Sequence, residues 1–568
     1  MKYELIGEND YLNPIETVLR NRGIEDIQSF LSTSEKDVIH WSKLKNIVEA
    51  VECLLKHIEK ESKVFVQCDP DADGTTSSAA LINYLVKVFP GINLQWRIHE
   101  GKQHGIIVKE VPKEVDLVLI PDAGSNQYKE HKELKDRGID IIILDHHECE
   151  KESEDAIVVN NQLSPDFTNK AFSGAGVVYK FLQAVDNKLE IKHADHYLDL
   201  VAIGLIGDMM DLRSLETRYY VHRGLKQINN LFLKALFEKQ SFSTKGIVNV
   251  INCQFYIVPL INACIRTGTH EEKHQMMRAF LESNELIHNT RKKQNEDIYT
   301  ATARLLTNVK ARQGRLRDKG VAAIEERIQE KKLLDNKILI VNVSDILDKN
   351  LTGLVANSLT KQYKRPALLL RFNEETGYLS GSGRGYDKGG IKNLKKFLQD
   401  TGKFEFVEGH MQAHGLGIQA EKLIEVNELI NDQLKDATID INSHDVDFII
   451  PAKKLKPGFV IELEKHKDLW GFKVEEPLIA FKDIEVNKED ILLMGKNKNT
   501  IKFSYKDVEY IKFFTNEEAY EELISQGERL VIDVVGKCSI NEYNKEKKPQ
   551  VLIDDFVVKK TKKKEFVF

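Results

Sequence analysis

The sequence predicts an α/β protein with two α/β domains and a C-terminal β-barrel, and three features of its pattern lead to this fold. Short apolar runs rich in β-branched residues occupy 63–68, 115–121 and 139–145, each followed by helical sequence. Continuous apolar runs separated by helices are typical of a buried parallel sheet. A second α/β pattern follows at 337–435. Alternating apolar and polar residues then dominate, for example at 501–514, and indicate a small barrel (OB-fold) of short strands.

The remaining segments are predicted from helical spacing. Apolar residues recur at helical spacing in 47–58, so the N-terminal region is predicted to form short amphipathic helices. Residues 270–335 are polar and helical, and we expect a long helix there because long structureless segments are uncommon inside compact proteins. We therefore divide the chain into an N-terminal helical segment at 1–60, a parallel-sheet domain at 61–269, a helical connector at 270–335, a smaller α/β domain at 336–438, a β-barrel at 439–558 and a basic tail at 559–568.

Composition limits the functional classes that the chain can belong to. Its 568 residues are 42% hydrophobic and 30% charged, as in soluble globular proteins of several domains. The 82 basic and 88 acidic side chains give a formal charge of −6. This balance excludes a protein that coats nucleic acid through bulk positive charge, but it is compatible with a locally basic groove.

Cysteine usage and the N-terminus indicate a cytoplasmic protein that does not bind membranes. None of the 6 cysteines stands in a C-x-x-C pair, which argues against a zinc knuckle or a disulfide framework. The first residues lack the apolar core of a signal peptide. No run approaches the roughly 18 apolar residues that a membrane span requires.

Four polar clusters each follow an apolar run directly. They are Asp69, Asp71 and Asp73 after the first run, Asp122 after the second, Asp145, His146 and His147 after the third, and Asp208 after a fourth run at 200–206. We expect the first three runs to be strands that deliver these side chains to the same edge of one sheet, because ligands gather at the carboxyl ends of parallel strands.

This many acids at one edge would repel one another unless divalent cations neutralised them. Carboxylate and imidazole ligands suit Mn²⁺ or Mg²⁺, and two such ions about 3.5–4 Å apart can activate water and stabilise the leaving oxygen of a phosphoester. Taken alone, residues 69–74 also fit a calcium loop, but no glutamate follows at the spacing that such a loop needs. The turn at 121–124 is ordinary by itself. The prediction depends on the order and spacing of all four clusters.

In this order the clusters, DPDADG, PDAG, DHH and GD, resemble the four motifs of the DHH phosphoesterase superfamily. Other stretches resemble elements of the RecJ-type single-strand-specific exonucleases in that superfamily. These stretches are 21–23, 97–101, 173–177, 259–266, 381–385, 408–410 and 468–472 with Pro477. Because the resemblance covers nearly the whole chain, the chain is identified as a divergent member of the RecJ-type group.

The resemblance implies roles for individual residues. The implied metal ligands are Asp71, Asp73, Asp122, His146 and Asp208, with Asp69 as a further ligand or as a residue that orients one. His147 would face the scissile phosphate, and Asp145 would support the two histidines. The implied phosphate-binding residues are Arg97, Arg266, Ser382, Arg384 and His410.

The chain departs from the family pattern at positions outside the predicted metal ligands. A tyrosine-glycine pair near the first motif is His104-Gly105 here. Leu260 stands in place of an arginine, Glu408 in place of a glycine, and the fourth motif carries a second acid at Asp211.

The implied function is metal-dependent hydrolysis of single-stranded DNA from the 5′ end to mononucleotides, in DNA repair or recombination. The resemblance implies a monomer, and a single-strand-binding protein or a helicase is the expected partner. Two alternatives stay open: a DHH hydrolase of short oligonucleotides or cyclic dinucleotides, and a non-catalytic replication scaffold. The N-terminal segment and the barrel argue against the first, and the complete set of motif acids and histidines argues against the second.

The C-terminal region carries two further expectations. Aromatic side chains on the barrel are candidates for stacking on nucleotides, although strand alternation places about half of them in the core. The candidates are Phe503, Tyr505, Tyr510, Phe513 and Phe514. The lysine-rich tail is expected to be a solvated end, with contact to DNA or a partner protein as the alternative.

Overall fold

The structure is a computed structural model that describes residues 1–99, 104–374, 376–386, 390–435, 443–543 and 546–559. The tail beyond Lys559, and Glu100 and Gly101 of the 97–101 stretch, lie outside the described residues. In the part of the chain that the structure describes, no helix is long and apolar enough to cross a membrane.

The N-terminal segment contains a strand in addition to the predicted helices. Strand β1 (Lys2–Leu5) precedes helices α1 (Pro14–Asn21), α2 (Ile27–Leu31) and α3 (Ile47–Glu59). It pairs in parallel with Ser443–Val446, more than 400 positions away in the sequence. A pairing over this distance leaves no signal in the local sequence pattern.

A five-stranded parallel sheet forms the centre of the first α/β domain, as the apolar runs predict. Its strands are β2 (Val64–Cys68), β3 (Leu94–Ile98), β4 (Leu117–Pro121), β5 (Asp140–Asp145) and β6 (Ile157–Asn160). The strand order is β3-β2-β4-β5-β6, and all neighbouring pairs are parallel. Strands β2, β4 and β5 are the three predicted runs, and they are almost entirely buried. Their carboxyl ends therefore meet at one edge.

Helices pack around this sheet. They are α4 (Ala72–Val88), α5 (Tyr128–Asp136), α6 (Gly174–Leu189), α7 (Leu198–Gly207), α8 (Leu215–Lys226), α9 (Leu231–Lys239), α10 (Ser241–Thr244), α11 (Val250–Asn252) and α12 (Val258–Thr267), with a π-helical turn at Cys253–Ile257. The run at 200–206, which precedes the fourth cluster, lies in α7. A short run that is apolar on every side indicates burial, but it does not distinguish a strand from a helix.

The connector contains a hairpin in addition to the predicted helix. Helix α13 (His270–Phe280) is followed by the antiparallel strands β7 (Leu286–Asn289) and β8 (Gln294–Asp297). The 33-residue helix α14 (Ile298–Glu330) comes next and packs against α12 of the first α/β domain. The Asp297 side chain caps this helix by accepting a hydrogen bond from the Thr300 amide at 2.7 Å.

The second α/β domain has a mixed five-stranded sheet. Its elements are β9 (Leu339–Asn342), α15 (Thr352–Tyr363), β10 (Ala367–Phe372), β11 (Leu379–Arg384), α16 (Leu394–Asp400), β12 (Phe406–His410), β13 (Ala413–Ile418) and α17 (Leu423–Gln433). The strand order is β12-β13-β11-β10-β9, and only β9 and β10 are parallel neighbours among these strands. Helix α14 also packs against α15, so this helix joins the two α/β domains.

The C-terminal region forms a seven-stranded sheet in which most neighbours are antiparallel. Its elements are β14 (Ser443–Val446), β15 (Phe448–Pro451), α18 (Pro457–Lys465), β16 (Ile479–Asn487), β17 (Leu492–Met494), β18 (Thr500–Tyr505), β19 (Val508–Phe513), α19 (Glu517–Ile524), β20 (Arg529–Tyr543) and β21 (Glu546–Val558). The sheet order is β15-β16-β20-β21-β19-β18-β17. Strand β14 instead pairs with β1.

One continuous apolar core joins the N-terminal helices, the first α/β domain and the C-terminal sheet. At this junction the Leu212 amide donates to the Phe472 carbonyl at 3.2 Å. A Cβ atom at Gly471 would lie 2.4 Å from Leu212 Cδ1, so the two domains touch closely there. The second α/β domain has separate cores on the two faces of its own sheet.

Candidate metal centre and phosphate-binding cleft

The carboxyl edge of the parallel sheet, here called the metal edge, gathers all the acids and histidines of the four motifs. Their ligand atoms form three overlapping groups, within each of which all atoms lie within 4.8 Å of one another. The groups are Asp122, Asp145, His146 and His147; Asp73, His146 and Asp208; and Asp69, Asp71 and Asp122. Asp208 directly follows helix α7, so three strands and one helix supply the edge.

Asp122 is held in a strained and buried position after β4. Its φ of 68° lies in the left-handed region, and the residue is 1% exposed. Its Oδ1 lies 3.2 Å from His146 Nε2 and has no hydrogen-bond partner among the described residues. Burial raises the pKa of this carboxyl well above its usual value, and the charges of Asp73 and Asp71 raise it further. A buried carboxylate oxygen without a hydrogen donor is well placed to bind a cation.

Asp73 is oriented by the start of helix α6. Its carboxylate accepts hydrogen bonds from Ser173 Oγ at 2.9 Å, the Gly174 amide at 2.7 Å and the Ala175 amide at 3.1 Å. Burial raises the pKa of Asp73, while the charge of His146 opposes this rise. The family-like stretch at 173–177 therefore fixes a carboxylate of the first motif.

His146 lies between Asp122 and Asp208. Its Nε2 is 3.2 Å from Asp122 Oδ1 and 3.4 Å from Asp208 Oδ2. Burial lowers the pKa of His146, and the charge of His147 lowers it further. Burial and the charge of Asp73 raise the pKa of Asp208 to about 8. The lowered pKa keeps the His146 imidazole neutral between the two carboxyl groups. This is the protonation state that a metal ligand needs.

Asp145 holds both motif histidines. Its Oδ1 accepts from the His146 amide at 2.7 Å and pairs with His147 Nδ1 at 2.8 Å, and its Oδ2 accepts from the Ser125 amide at 3.0 Å. Although burial opposes ionisation, the hydrogen bond and charge of His147 hold the pKa of Asp145 well below its usual value. Burial likewise lowers the pKa of His147, but the bond to Asp145 outweighs it and raises that pKa to about 9.

Asp69 and Asp71 have their own partners at the start of the first motif. Asp69 pairs with His104 Nδ1 at 2.7 Å and accepts from the Gly105 amide at 2.8 Å, so both of its oxygens are engaged. Asp71 caps helix α4 and accepts from the Gly74 amide at 2.8 Å. The sequence marked His104 only as a departure from the family, and its spacing gave no indication of this contact.

This donor set fits a hard divalent cation. The three groups offer carboxylate oxygens and imidazole nitrogens and no thiolate, which suits Mn²⁺ or Mg²⁺. Asp73, Asp122 and Asp208 all have raised pKa values, so their anionic forms need a compensating positive charge.

Two of the predicted phosphate-binding arginines influence each other. Arg266 lies in the last turn of α12 and Arg384 ends β11. Burial lowers the pKa of both groups, and the charge of Arg266 lowers that of Arg384 further. The charge of Asp71 opposes the shift at Arg266, which places this guanidinium near the metal edge. Two neighbouring cations of this kind favour a bound anion.

The other predicted phosphate-binding residues have different surroundings. Ser382 Oγ shares a hydrogen bond of 2.9 Å with Thr352 Oγ1. Arg97 lies on strand β3, and its Nε is 3.3 Å from Glu110 Oε2. His410 is the last residue of β12 and lines a cavity that opens towards the metal edge.

This cavity of about 1220 Å³, here called the cleft, separates the metal edge from the second α/β domain. On the metal side it is lined by Asp69, His104, Asp145, His146, His147 and Asp208, and on the opposite side by Asn393, Lys395, Lys396, Gln399, Glu408 and His410. Arg97, Arg266, Ser382 and Arg384 are not among its lining residues. The lysines of α16 carry no motif signal in the sequence, because lysines on a helix are ordinarily a solvated face.

The aromatic candidates divide as strand alternation predicts. Phe503 and Tyr510 are buried and stack on each other with ring centroids 5.1 Å apart. Tyr505 is half-buried. Phe513 and Phe514 are 47% and 96% exposed, so these two rings remain available for contact.

Two family models match the chain. Residues 63–205 match the N-terminal domain of the DHH family, and residues 446–555 match the RecJ OB domain. A Bacillus subtilis protein of SPbeta prophage origin, provisionally named single-strand DNA-specific exonuclease YorK, is 52% identical over the full length of both chains. The single-stranded-DNA-specific exonuclease RecJ of Bacillus subtilis is 27% identical over 98% of this chain and 70% of its own length.

The fold is that of a solved relative. RecJ from Thermus thermophilus in complex with Mn²⁺ superposes with a TM-score of 0.75 and 20% identity, over 98% of this chain and 79% of that chain. Its complex with Mg²⁺ gives a TM-score of 0.68 with 19% identity, over 98% and 78% of the two chains. The C-terminal sheet is accordingly a RecJ-type OB domain. Together with the full-length relative at 52% identity, these matches show that the chain belongs to the RecJ family of DHH proteins, as a divergent member.

Proposed function

We propose that this protein is a divalent-metal-dependent exonuclease that degrades single-stranded DNA from its 5′ end to mononucleotides, in DNA repair or recombination. The observation that carries the proposal is the complete set of motif acids and histidines on one sheet edge that opens into the cleft. The names of the relatives support DNA as the substrate, because YorK and the RecJ of Bacillus subtilis are both named as exonucleases specific for single-stranded DNA.

Asp71, Asp73, Asp122, His146 and Asp208 would hold two Mn²⁺ or Mg²⁺ ions, with Asp69 oriented by His104 behind them. When bound, such ions provide Lewis-acid stabilisation of the phosphoester and a more acidic water. The chain's own residues position the groups around them. Asp145 holds the His147 ring, whose raised pKa lets it carry the positive charge that a scissile phosphate requires.

The pair of neighbouring arginines supports recognition of a strand end. Arg266 and Arg384, with Ser382 two residues before Arg384, would hold a terminal 5′ phosphate through charge-assisted hydrogen bonds. Arg97 and His410 would contact phosphates beyond them. Anchoring the 5′ phosphate beside the metal edge would place the first phosphodiester bond there, and this accounts for the proposed polarity and product.

The domain arrangement supports selection of a single strand. The substrate would enter the cleft between the two α/β domains, and a passage narrower than a duplex admits only one strand. The exposed rings of Phe513 and Phe514 on the OB domain would stack on incoming bases. The protein would act as a monomer on strands exposed by a helicase or held by a single-strand-binding protein.

End-labelled digestion tests this proposal. With Mn²⁺, the full chain should release mononucleotides from a 5′-labelled single strand and leave a blunt duplex intact. Asp208→Asn and Asp122→Ala should each lose activity by about 100-fold or more, because each removes a ligand of the shared site. Asp211→Asn is the matched control, since this nearby acid pairs with Arg213 and lies outside the metal groups.

Two results would overturn the proposal. One is wild-type activity in Asp122→Ala, which would remove the metal assignment. The other is a cyclic dinucleotide that is hydrolysed while long single-stranded DNA is neither cleaved nor able to compete, which would assign a small-molecule substrate.

A further inference from the structure

A second cluster of ligand-type side chains lies at the opposite edge of the parallel sheet. Cys53, His57 and Asp140 bring one sulfur, one nitrogen and one oxygen atom within 4.8 Å of one another. Asp140 begins strand β5, whereas Asp145 ends it at the metal edge. The two sites are therefore separated by the length of the strand, about 17 Å for six residues.

The three side chains come from two rigid elements. Cys53 and His57 stand four residues apart on helix α3, a spacing that places both on one face of the helix. His57 Nε2 lies 3.1 Å from Asp140 Oδ2. In a tetrahedral zinc site with bonds of about 2.0–2.3 Å, neighbouring ligand atoms are roughly 3.3–3.8 Å apart. The distance between His57 Nε2 and Asp140 Oδ2 is thus close to that of a formed site, and the Cys53 sulfur lies within 4.8 Å of both atoms.

The atoms that face away from the cluster already have partners. His57 Nδ1 is 2.9 Å from Ser62 Oγ, and Asp140 Oδ1 accepts from Lys135 Nζ at 2.9 Å. Metal-binding histidines and carboxylates are usually oriented by such outer hydrogen bonds. Here these bonds leave His57 Nε2 and Asp140 Oδ2 directed at each other beside the Cys53 sulfur.

We propose that Cys53, His57 and Asp140 bind a divalent transition ion of the Zn²⁺ class, with water as a fourth ligand. Thiolate and imidazole ligands select Zn²⁺ over the hard ions that suit the metal edge. On binding, the Cys53 thiol gives up its proton to the solvent and forms the metal–sulfur bond. The ion would connect helix α3 of the N-terminal segment to the start of β5 in the catalytic sheet.

Cobalt spectroscopy on the full, metal-stripped chain tests this site without relying on activity. Co²⁺ bound by a thiolate gives a near-ultraviolet sulfur-to-metal charge-transfer band, which the thiol-free catalytic groups cannot produce. The band should reach the intensity of one thiolate-bound Co²⁺ per chain and disappear when excess Zn²⁺ is added, while Mg²⁺ should leave it unchanged. Absence of the band in the wild-type chain would overturn the proposal.

Variants assign the band to this cluster. Cys53→Ser should abolish it, and Ser62→Ala should weaken Co²⁺ binding by about 10-fold or more through loss of the outer hydrogen bond. Cys149→Ser is the matched control, because Cys149 is also a half-buried free thiol but lies outside the cluster. A band that persists in Cys53→Ser, or that is lost in Cys149→Ser, would overturn the assignment.

Discussion

At the scale of single residues, the metal edge depends on close approach between backbone and carboxylates. Gly174 opens helix α6 against Asp122, and a Cβ atom there would lie 2.2 Å from Asp122 Oδ1 and 2.6 Å from Asp122 Cα. Gly204 lies equally close to the first motif, because a Cβ atom added there would lie 2.3 Å from Asp73 Oδ1. Glycine at these two positions therefore allows the acids to occupy the edge.

Gly174→Ala should reduce exonuclease activity on the order of 100-fold, because it would displace Asp122, a proposed metal ligand, and a shift of about 1 Å is enough for such a loss. The measurement is turnover of 5′-labelled single strands at saturating Mn²⁺. Gly314→Ala is the control, since a Cβ at this helical glycine meets nothing within 4 Å. Equal activity of the two variants would contradict the role of Gly174.

The titrating groups of the metal edge predict a pH dependence of stability when chelator removes divalent ions. The pKa of Asp208 rises from 3.8 to about 8 on folding, and that of His147 from 6.5 to about 9. In both cases the folded state keeps the proton longer than the unfolded state, so stability is lost as pH rises through these values.

Thermal unfolding in EDTA should therefore show a Tm that falls between pH 6.5 and 9, and Mn²⁺ should reduce the slope. Asp208→Asn should flatten the decline in EDTA, because this side chain no longer titrates. Asp211→Asn serves again as the neighbouring control. A Tm in EDTA that rises over the same range would contradict the predicted protonation states.

The sequence predicted which residues gather at the metal edge but not how each is held. Order and spacing of the motifs were enough to select Asp122 and His146. The partners of these residues come from distant parts of the chain, as in the pair of Asp69 with His104 and the contact of Asp73 with Ser173. Such contacts depend on three-dimensional placement, which local pattern does not encode.

At the scale of elements, helix α16 forms the wall of the cleft that faces the metal edge. Lys395 and Lys396 line this wall. Lys395 Nζ donates to the Gly409 carbonyl at 3.0 Å, and Lys396 pairs with Asp400 one helical turn later at 3.2 Å. A basic helix opposite an acidic edge would draw the DNA backbone across the cleft.

Lys396→Ala should weaken binding of single-stranded DNA and reduce the slope of log K against log salt by about 0.7, the value for one lost phosphate contact on a single strand. Lys132→Ala is a matched control, because Lys132 forms an ion pair of the same 3.2 Å length with Asp136 on α5, away from the cleft. Binding measured by fluorescence anisotropy over a salt series separates the two. Identical slopes would exclude a phosphate contact at Lys396.

Elements were predicted well where an uninterrupted apolar run marked a buried strand, and poorly where the run was a buried helix or the residues were polar and exposed. Strands β2, β4 and β5 were predicted because both of their faces are buried, which leaves an uninterrupted apolar run. The apolar run at 200–206 could not be assigned in this way, because it lies in α7, which is apolar all round as a buried helix. The hairpin of β7 and β8 was missed because its residues are mostly polar and exposed.

At the scale of the whole molecule, the N-terminal segment and the OB domain pack against each other. Arg22 and Asp447 form a two-pronged ion pair, with Nη1 to Oδ1 at 2.7 Å and Nη2 to Oδ2 at 3.1 Å. Their side chains are 10% and 2% exposed. Asp447 also accepts from the Leu478 amide at 2.9 Å, so the pair is anchored in the OB domain. This contact gives the family-like stretch at 21–23 a structural role that the sequence alone did not reveal.

Arg22→Met should therefore destabilise the docked N-terminal and OB regions by about 3–5 kcal/mol, because it leaves the buried Asp447 carboxylate without its partner. Arg20→Met, two residues earlier in the last turn of α1, is the matched control: its partner Glu8 is exposed, and such surface pairs contribute only about 0–1 kcal/mol. Urea unfolding, together with limited proteolysis of the N-terminal segment, measures the difference. Equal unfolding midpoints for the two variants would show that apolar packing in the shared core, and not the ion pair, holds the segment in place. Since the ion pair lies outside the residues of the metal edge, cleavage by Arg22→Met at temperatures well below its unfolding midpoint should still require Mn²⁺.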